Sequence, residues 1–328
     1  MQGHGRSGDG PALEVAALPK SLGPRRVAEL LATSLADRGV DTRLVERPRA
    51  RGMCNVHLAN SSRSFLAILA WRRGFLVTLH DVLARNPHVR RILQPVLPRV
   101  LQRHRVVVHS RYAADLLHRI GYSEPVGIVP LVNPVIVPDD ESRLDLRRSL
   151  LGDRDGPLLV IAGVLKAEKG AVDAVHAAWA APHARIVLMG RIDDAATARA
   201  VGEAPPNVTS LGATDDVEFS HVLAAADAVL APRSASVGEM SGPMVMAHAL
   251  GTPIAMLDVG SPPEYRLPGD LVMPADTPIS TLIAEAAKRR WDRVSDSPEA
   301  QGDRMLTAYT REFAALGWDV EPASREGG

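Results

Sequence analysis

Short apolar runs alternate with amphipathic stretches along the chain of 328 residues. Turn-forming residues bound the apolar runs in the first part of the chain, and this pattern predicts buried strands. The predicted strands are Leu13–Leu18, Val40–Val45, Val56–Ala59, Phe75–Leu79, Val106–His109 and Val126–Leu131. The predicted helices between them are Arg25–Arg38, Ser64–Arg73, Val89–Arg103 and Arg111–Ile120. Strands that alternate with helices in this way indicate an α/β unit with a parallel sheet.

A segment rich in proline and acidic residues, Asn133–Ser142, predicts a linker, after which the pattern restarts. The second set of predicted strands is Leu158–Gly163, Arg185–Met189, Val208–Leu211, Ala228–Ala231, Ile254–Leu257 and Leu271–Met273. The second set of predicted helices is Ala171–Trp179, Asp194–Val201, Val217–Ala226, a helix that contains Met244, Ser280–Arg290 and Glu299–Leu316. The two halves share the alternation of strands and helices but no repeated sequence.

These elements predict an α/β protein of two doubly wound, Rossmann-like domains that face a central cleft. We expect the first domain over residues 1–135 and the second over residues 136–298. Residues 299–328 are expected to form a helix that packs back toward the first domain, followed by a disordered tail. Ligands of such folds bind at the carboxyl ends of the strands, so the candidate site residues are sought there.

The charge, the cysteine count and the lengths of the apolar runs exclude several classes of function. The formal net charge is zero, which implies no bulk attraction to nucleic acid. The single cysteine, Cys54, excludes a disulfide framework and a zinc site built from cysteines. No apolar run reaches the ~18 residues of a membrane span, and the polar, glycine-rich start lacks the apolar core of a signal peptide. We therefore expect a cytoplasmic protein.

The segment Glu239–Pro253 predicts a buried helix with a candidate phosphate site at its start. Gly242 is expected to be the N-cap, with Pro243 in the first helical position and Gly251 past the end. Free amides of Met244 and Val245, fronted by Ser241 and Gly242, would suit a phosphate. The Glu239 carboxylate just ahead would suit sugar hydroxyls, so that the segment fits a nucleotide sugar. The alternative is a buried helix with good caps and no ligand.

Charged residues and glycines follow the predicted strands of the second half. Two of the four lysines, Lys166 and Lys169, lie in the loop after Leu158–Gly163, and their compact charges suit a diphosphate. The alternative is that both are solvated surface side chains. Further strands end at Gly190-Arg191 and at Gly212, where a glycine lets a ligand approach the backbone.

The order of these pieces resembles the nucleotide-binding half of retaining family-4 glycosyltransferases of GT-B fold. The resemblance spans Leu158–Glu264, and its motifs are Gly163–Gly170, Gly190, Asn207–Gly212, Gly251–Pro253 and Gly260–Glu264. Two positions depart from the family pattern. Val164 stands where the family has an arginine, whose charge Lys166 or Arg191 would supply. Met246 stands where the family has the glutamate that holds the ribose, so the resemblance implies that position 246 faces a ribose and that Ser241-Gly242 forms a Ser-Gly variant of the motif.

The first half resembles the family more loosely. Gly23 corresponds to the first glycine loop, between a strand and a helix, and His80 corresponds to the histidine that faces the donor sugar. Asp81 follows His80, Asn60 closes a strand on the same side, and Ser110 matches the serine that ends the last major strand. These residues are expected on the acceptor side. His109 is a weaker candidate than His80 because only His80 matches the family position.

The resemblance implies a retaining glycosyltransferase that uses a nucleoside-diphosphate sugar, without a cofactor or a metal. His80 and Glu239 would contact the donor sugar, and the acceptor would be a small molecule, a glycan or a lipid-linked sugar. Two alternatives remain open: a non-catalytic subunit that binds a nucleotide sugar, and a nucleotide-sugar epimerase of the same fold. The segment Arg90–Arg105 has five arginines and no acid, so a weak contact with an anionic membrane is a further possibility beside an ordinary sheet-covering helix.

Overall fold

A computed structural model describes residues 12–18, 22–46, 53–58, 75–83, 87–233, 241–259, 263–294, 296–318 and 320. The chain divides into two compact units. Unit 1 consists of the residues up to 109, residues 113–130 and the residues from 304 onward, and unit 2 consists of residues 110–112 and 131–303. Each unit is built around its own parallel sheet. In the described part of the chain, no helix is both long and apolar enough to cross a bilayer.

The described strands of unit 1 form one sheet in the order β2-β1-β3-β4-β5-β6, and all neighbours are parallel. They are β1 (Leu13–Leu18), β2 (Thr42–Val45), β3 (Cys54–Leu58), β4 (Phe75–Leu79), β5 (Arg105–Val108) and β6 (Val126–Ile128). All six predicted strands are confirmed, with shifts of a few residues at their ends. Every residue of β3 and β4 is buried, as expected for central strands covered on both faces.

The described helices of the first 130 residues are α1 (Leu22–Ala36), α2 (Pro87–Leu93), α3 (Leu97–Leu101) and α4 (Arg111–Arg119). The prediction of one helix over Val89–Arg103 is wrong, because the chain turns between α2 and α3. Pro95 lies in that turn; it cannot donate a backbone hydrogen bond and disfavours a helical conformation of the residue before it. The predicted helix Ser64–Arg73 lies outside the described residues.

The described strands of unit 2 form a second parallel sheet in the order β12-β11-β10-β7-β8-β9. They are β7 (Leu158–Ala162), β8 (Arg185–Met189), β9 (Val208–Gly212), β10 (Ala228–Ala231), β11 (Ile254–Leu257) and β12 (Leu271–Met273). The chain starts at β7 in the middle, runs to one edge, and returns to β10 on the other side of β7. The carboxyl ends of β7 and β10 therefore mark the point of reversal, where such sheets bind ligands.

The remaining described α-helices are α5 (Asp140–Leu151), α6 (Ala171–Ala177), α7 (Ala195–Gly202), α8 (Asp216–Ala225), α9 (Gly242–Ala249), α10 (Ile279–Lys288) and α11 (Pro298–Ala314). Short 3-10 helices cover Ala167–Lys169, Ala178–Ala180 and Pro263–Tyr265. The second half of α11 belongs to unit 1, where Tyr309 and Phe313 are fully buried.

Helix α5 corrects the prediction of a linker that extends to Ser142. The Asp139 carboxylate accepts a hydrogen bond from the backbone N–H of Ser142 at 2.8 Å and caps the helix. Asp140 and Glu141 occupy the first turn, where negative charge is favoured by the helix dipole. The acidic residues that suggested a linker are thus the start signal of a helix, and only the part of the segment before Asp139 is irregular.

Alternate residues of β7 show that the sheet of unit 2 is covered on both faces. Leu159 and Ile161 pack in one buried apolar cluster with α6 and α10, whereas Leu158 and Val160 pack in a second cluster with α8 and α9. Because successive side chains of a strand point to opposite faces, the two clusters lie on opposite sides of the sheet. The predicted α/β architecture of two doubly wound parallel sheets is confirmed.

Candidate functional site

Three glycines lie side by side at the carboxyl edge of the sheet in unit 2. Gly163 follows β7, Gly190 follows β8, and Gly212 ends β9. The backbone N–H of Gly163 donates to the carbonyl of Met189 at 2.9 Å, and that of Gly190 donates to the carbonyl of Gly212 at 2.6 Å. The three glycines that the sequence predicted at strand ends therefore lie together at one edge of the sheet, which we call the glycine edge.

Gly190 has no room for a side chain. Its φ is +136°, and a Cβ atom at this position would lie 1.7 Å from the backbone oxygen of Gly163. Gly163 itself has a φ of +107°, and a Cβ atom there would lie 3.1 Å from the ring of Pro243. The loops after β7 and β8 thus touch backbone to backbone, with the start of α9 packed beside them.

The start of α9 differs from its prediction. The helix begins at Gly242 with Ser241 as the N-cap, one residue earlier than expected. The backbone N–H groups of Met244 and Val245 both donate to the carbonyl of Ser241, at 3.1 Å each. The prediction of free amides at Met244 and Val245 is therefore wrong, since the first turn of the helix already uses them. Pro243 has no N–H, which leaves Gly242 as the first-turn residue whose amide could meet an anion.

The interior of α9 is packed rather than open. Met244, Val245 and Met246 are 7%, 3% and 4% exposed, and Met246 lies in the apolar cluster with Leu158 and Val160. A side chain buried in this way offers almost no surface to a ligand. The structure thus argues against a direct contact between Met246 and a ribose.

Lys166 and Arg191 form ion pairs with the same carboxylate. The Asp193 side chain lies 3.0 Å from Lys166 Nζ and 3.1 Å from Arg191 Nε. The hydrogen bond from Lys166 is the main cause that lowers the pKa of Asp193, with further contributions from both cations. Backbone hydrogen bonds hold this arrangement, because Leu165 N–H donates to the carbonyl of Arg191 and Asp193 N–H donates to that of Leu165. These three side chains together carry one net positive charge, and a second carboxylate, that of Asp194, accepts a hydrogen bond from the Ala167 N–H of the same loop.

Lys169 lies at the end of the 3-10 helix that follows this loop and is half-buried. The next residue, Gly170, has a φ of +78°, and a Cβ atom there would lie 1.8 Å from the backbone oxygen of Pro232. Pro232 directly follows β10, so the loop that leaves β7 returns to the end of β10. The Lys169 loop therefore spans the point where the strand order reverses.

Other motif residues of unit 2 have local structural partners. The Asn207 side-chain amide donates to the carbonyls of Ala178 and Ala181, at 3.1 and 3.0 Å. The Glu264 carboxylate accepts from the backbone N–H of Arg111. These contacts explain the residue types without a ligand. Glu239 and Gly260 lie outside the described residues, and so does the sugar contact predicted for Glu239.

In unit 1, His80 directly follows β4, and its ring lies between two other histidines. His57 Nδ1 is 3.1 Å from His80 Nε2, and His109 Nε2 is 3.1 Å from His80 Nδ1. Burial lowers the pKa of His57 to about 3 and that of His109 to about 4. Burial, with smaller effects of the two neighbouring histidines, also holds the pKa of His80 well below its usual value. All three rings are therefore neutral near pH 7.

These rings belong to a longer line of hydrogen bonds, which we call the histidine network. Beyond His57, the line continues through Asn55 and Thr78 to the hydroxyl of Tyr309 on α11. Beyond His109, it ends at the backbone carbonyl of Val129. The members of the network, in spatial order, are Tyr309, Thr78, Asn55, His57, His80, His109 and the Val129 carbonyl.

Part of this network could have been predicted from the sequence. Asn55 and His57 are two residues apart on β3, and Thr78 and His80 are two apart at the end of β4. Residues two apart on a strand share one face, so polar pairs within buried apolar strands indicate a polar layer. His57 was missed because it stands inside its strand, and Tyr309 because it comes from a distant helix.

The residues predicted for the acceptor side have mixed placements. Gly23 is the second residue of α1 and so lies in the first turn of the helix, while its place on the acceptor side stays a prediction. Asp81 and Ser110 are 9% and 1% exposed, so both side chains are largely covered. Asn60 lies outside the described residues. Within the described part of the chain, no group of three His, Cys, Asp or Glu side chains could hold a metal ion.

The chain resembles known proteins in its fold and not in its sequence. No protein-family model and no curated protein sequence matches the chain. Among solved structures, Anabaena Alr3699/HepE in complex with UDP and glucose has a TM-score of 0.71 at 14% identity, over 94% of this chain and 99% of that one. Sucrose-phosphate synthase from Thermosynechococcus elongatus has a TM-score of 0.67 at 15% identity, over 92% of this chain and 100% of that one.

A third similar structure is WaaG, a glycosyltransferase involved in lipopolysaccharide biosynthesis, with a TM-score of 0.60 at 16% identity, over 93% of this chain and 98% of that one. The fold is that of the GT-B glycosyltransferases. At these identities the similarity establishes the fold and leaves the activity to be argued from the residues.

Proposed function

We propose that this chain is a retaining glycosyltransferase that moves a sugar from a nucleoside-diphosphate sugar to an acceptor without a metal ion. The observation that carries the proposal is the carboxyl edge of the sheet in unit 2. There Gly163, Gly190 and Gly212 adjoin two loops, one with Lys166 and Lys169 after β7 and one with Arg191 after β8. The solved structures with this fold include complexes of HepE with UDP and glucose and with UDP-glucose, which supports a nucleotide sugar as the ligand.

The cations of these two loops suit the diphosphate of such a donor. The bond between the anomeric carbon and a phosphate oxygen breaks during transfer, and negative charge grows on the leaving diphosphate. Fixed positive charge beside that group stabilises the transition state more than the ground state. Asp193 holds Lys166 and Arg191 in place, and Lys169 directly precedes Gly170, whose backbone approaches that of Pro232 after β10. In this proposal the three cations take the role that a metal ion has in other transferases.

Retention of the anomeric configuration is what the resemblance implies. A front-face displacement needs no protein nucleophile: the acceptor oxygen bonds to the anomeric carbon, and its proton passes to an oxygen of the departing diphosphate. Glu239 would bind sugar hydroxyls, and His80 stays the proposed contact to the donor sugar. The acceptor would be a small molecule, a glycan or a lipid-linked sugar. The weak membrane contact of Arg90–Arg105 and a cytoplasmic location remain predictions.

A second candidate is a non-catalytic subunit that binds a nucleotide sugar. Val164 and the buried Met246 favour it, because both stand where the family has a charged side chain toward the ligand. Binding alone would not separate the two candidates, whereas formation of a glycosylated product would.

The test combines calorimetry with a product assay. UDP, GDP and their sugars would first be titrated into the protein, and the donors that bind would then be offered with a panel of acceptors. Transfer with retained configuration, detected by NMR of the product, supports the proposal. Binding of a nucleotide sugar without transfer to any acceptor would favour the subunit. Absence of binding by every nucleotide would remove both candidates.

A further inference from the structure

We propose that the histidine network is a one-directional line of hydrogen bonds that holds the His80 imidazole in a single neutral tautomer, with His57 and His109 as its positioning residues. The proposal concerns unit 1 alone and follows from which atoms can donate and which can only accept. It adds to the proposed function a reason why the ring of His80 has one orientation.

The direction is fixed at the Val129 end. A backbone carbonyl can only accept, so His109 Nδ1, which lies 3.0 Å from the Val129 oxygen, must carry a proton. A neutral His109 then has a lone pair on Nε2, which accepts from His80 Nδ1. The same step repeats once more, because His57 Nδ1 must donate to the lone pair on His80 Nε2. All three histidines are therefore neutral Nδ1–H tautomers.

The other end of the network agrees with this direction. His57 Nε2 is now an acceptor, and the Asn55 amide nitrogen donates to it over 3.3 Å. The Asn55 oxygen accepts from the Thr78 hydroxyl at 2.9 Å. Since Thr78 has only one hydroxyl proton, Tyr309 must be the donor in their 3.0 Å contact. Every side chain thus donates once along the line, and the Tyr309 hydroxyl is its first donor.

The opposite direction fails at one point. If Asn55 were flipped, each ring could carry its proton on Nε2, and the internal contacts would all remain donor to acceptor. His109 Nδ1 would then present a lone pair to the carbonyl oxygen of Val129, and two buried acceptors would face each other. A buried polar group without a partner is unfavourable, because it has lost its hydrogen bonds to water and gained none. The carbonyl of Val129 therefore selects the tautomer of all three rings, including that of His57, which is the farthest from it along the network.

The network occupies both ring nitrogens of His80. His57 and His109 use its acceptor and its donor, so a sugar hydroxyl that bonds to this ring has to replace one of them. A change at either neighbour would free the ring to rotate or to change its tautomer. This is the sense in which His57 and His109 position His80 without contacting a substrate.

The first test is spectroscopic and needs no substrate. Long-range 1H–15N correlation spectra of the full-length protein with 15N-labelled histidine report the tautomer of each ring, and single His→Gln variants assign the signals. We expect neutral Nδ1–H patterns for His57, His80 and His109 at pH 7.5. His104 is an internal reference for a buried histidine whose tautomer no hydrogen bond selects, because its ring nitrogens have no hydrogen-bond partner among the described residues. An Nε2–H or a charged ring at any of the three network positions would overturn the proposal.

A pair of variants tests the direction. The amide of His109→Gln can donate to Val129 and accept from His80, so His57 should keep its tautomer. His109→Leu removes the anchor, and His57, which does not touch position 109, should become a mixture of tautomers. A folded His109→Leu protein with an unchanged His57 would contradict the proposed direction. If His109→Leu does not fold, the wild-type and His109→Gln spectra decide the question.

The kinetic test rests on the proposed function. His57→Leu should lower kcat by up to about 100-fold, the effect expected of a misplaced group, while the affinity for the nucleotide stays unchanged. His57→Gln, which can accept from Asn55 and donate to His80, should restore most of the rate. An unchanged rate in folded His57→Leu would remove the positioning role. A protein without transfer for any donor would refute the proposed function and leave the spectroscopic result intact.

Discussion

The hydroxyl of Tyr309 lies 3.0 Å from the hydroxyl of Thr78, although 231 positions separate the two residues in the sequence. Tyr309 belongs to α11 and Thr78 to β4, so this contact ties the last helix to the centre of the sheet in unit 1. Both side chains are fully buried. Two further aromatic rings extend the contact, because Tyr309 stacks on Phe313 and Phe313 on Trp318.

Tyr309→Phe should lower the free energy of unfolding by about 1 kcal/mol, because it removes one buried hydrogen bond and keeps the ring. Thr78→Val should cost more, since it also leaves the oxygen of Asn55 without its donor. A double-mutant cycle by urea denaturation measures the coupling between the two positions. A coupling free energy of zero would show that the two hydroxyls do not interact.

Gly190→Ala should destabilise unit 2 strongly, because the added Cβ meets the Gly163 backbone at 1.7 Å and the φ of +136° is unfavourable for alanine. We expect a loss of about 3 kcal/mol or more in the free energy of unfolding. Gly202→Ala is a matched control, since a Cβ at this helical position meets nothing within 4 Å. The control should be neutral or slightly stabilising, and equal urea midpoints for the two variants would contradict the tight approach of the two loops.

Lys169→Ala should weaken the binding of a nucleoside diphosphate by roughly 1.5–3 kcal/mol, the contribution of a charge-assisted hydrogen bond. Lys166→Ala should have a smaller effect, because Arg191 lies against the same Asp193 carboxylate and keeps a positive charge there. The control is Lys288→Ala on α10, whose exposed side chain pairs with Glu285. Calorimetry with UDP or the nucleotide that binds best provides the measurement. Equal affinities for the Lys169 and Lys288 variants would remove Lys169 from the site.

Acid should destabilise the protein between pH 6.5 and about 4 through the buried histidines. Burial lowers the pKa of His57 to about 3 and that of His109 to about 4 in the folded state, whereas both have ordinary values near 6.5 when unfolded. The unfolded chain therefore binds more protons in this window, and stability falls as the pH falls. Each such histidine contributes at most about 1.4 kcal/mol per pH unit.

Urea midpoints at pH 7.5, 6 and 5 would measure this slope. His109→Gln should make the decline shallower, because one group that must stay neutral is gone. His104 also has a pKa lowered to about 4, chiefly by burial, so His104→Gln should reduce the slope without touching the network. A stability that stays constant from pH 7.5 to pH 5 would contradict the buried, neutral state of these rings.

Much of the fold could be predicted because most strands and helices have a signal in their own local sequence. The limits of β1, β4, β8, β10, β11 and β12 agree with the predicted ones, since short apolar runs between turn residues have few alternatives. Helix α5 was missed because its start signal, Asp139–Ser142, has the same composition as a linker. At Pro95 a break was missed: a single helix was predicted there, whereas the structure has two helices, α2 and α3.

The candidate site was harder to predict than the fold. The glycine edge followed from the rule that strands of a parallel sheet end together, so Gly163, Gly190 and Gly212 were found. The histidine network depends on long-range pairing: His57, His80 and His109 lie on different elements, and only the order of the strands brings them together. Asp193 was missed as the partner of Lys166 for the same reason, because only the pairing of β7 with β8 brings their two loops together.

Met246→Glu tests the one position where the resemblance and the structure disagree. The resemblance implies a ribose contact, whereas the structure places Met246 in the apolar cluster between the sheet and α9. A glutamate without partners in that cluster would cost several kcal/mol, so we expect the variant to lose most of its stability. Met246→Leu is the control, since a swap of similar volume usually costs less than about 1.5 kcal/mol. Thermal melts of both variants, with and without saturating nucleotide, give the answer. A Met246→Glu protein that melts like the wild type and binds nucleotide more tightly would show that the side chain reaches a ribose.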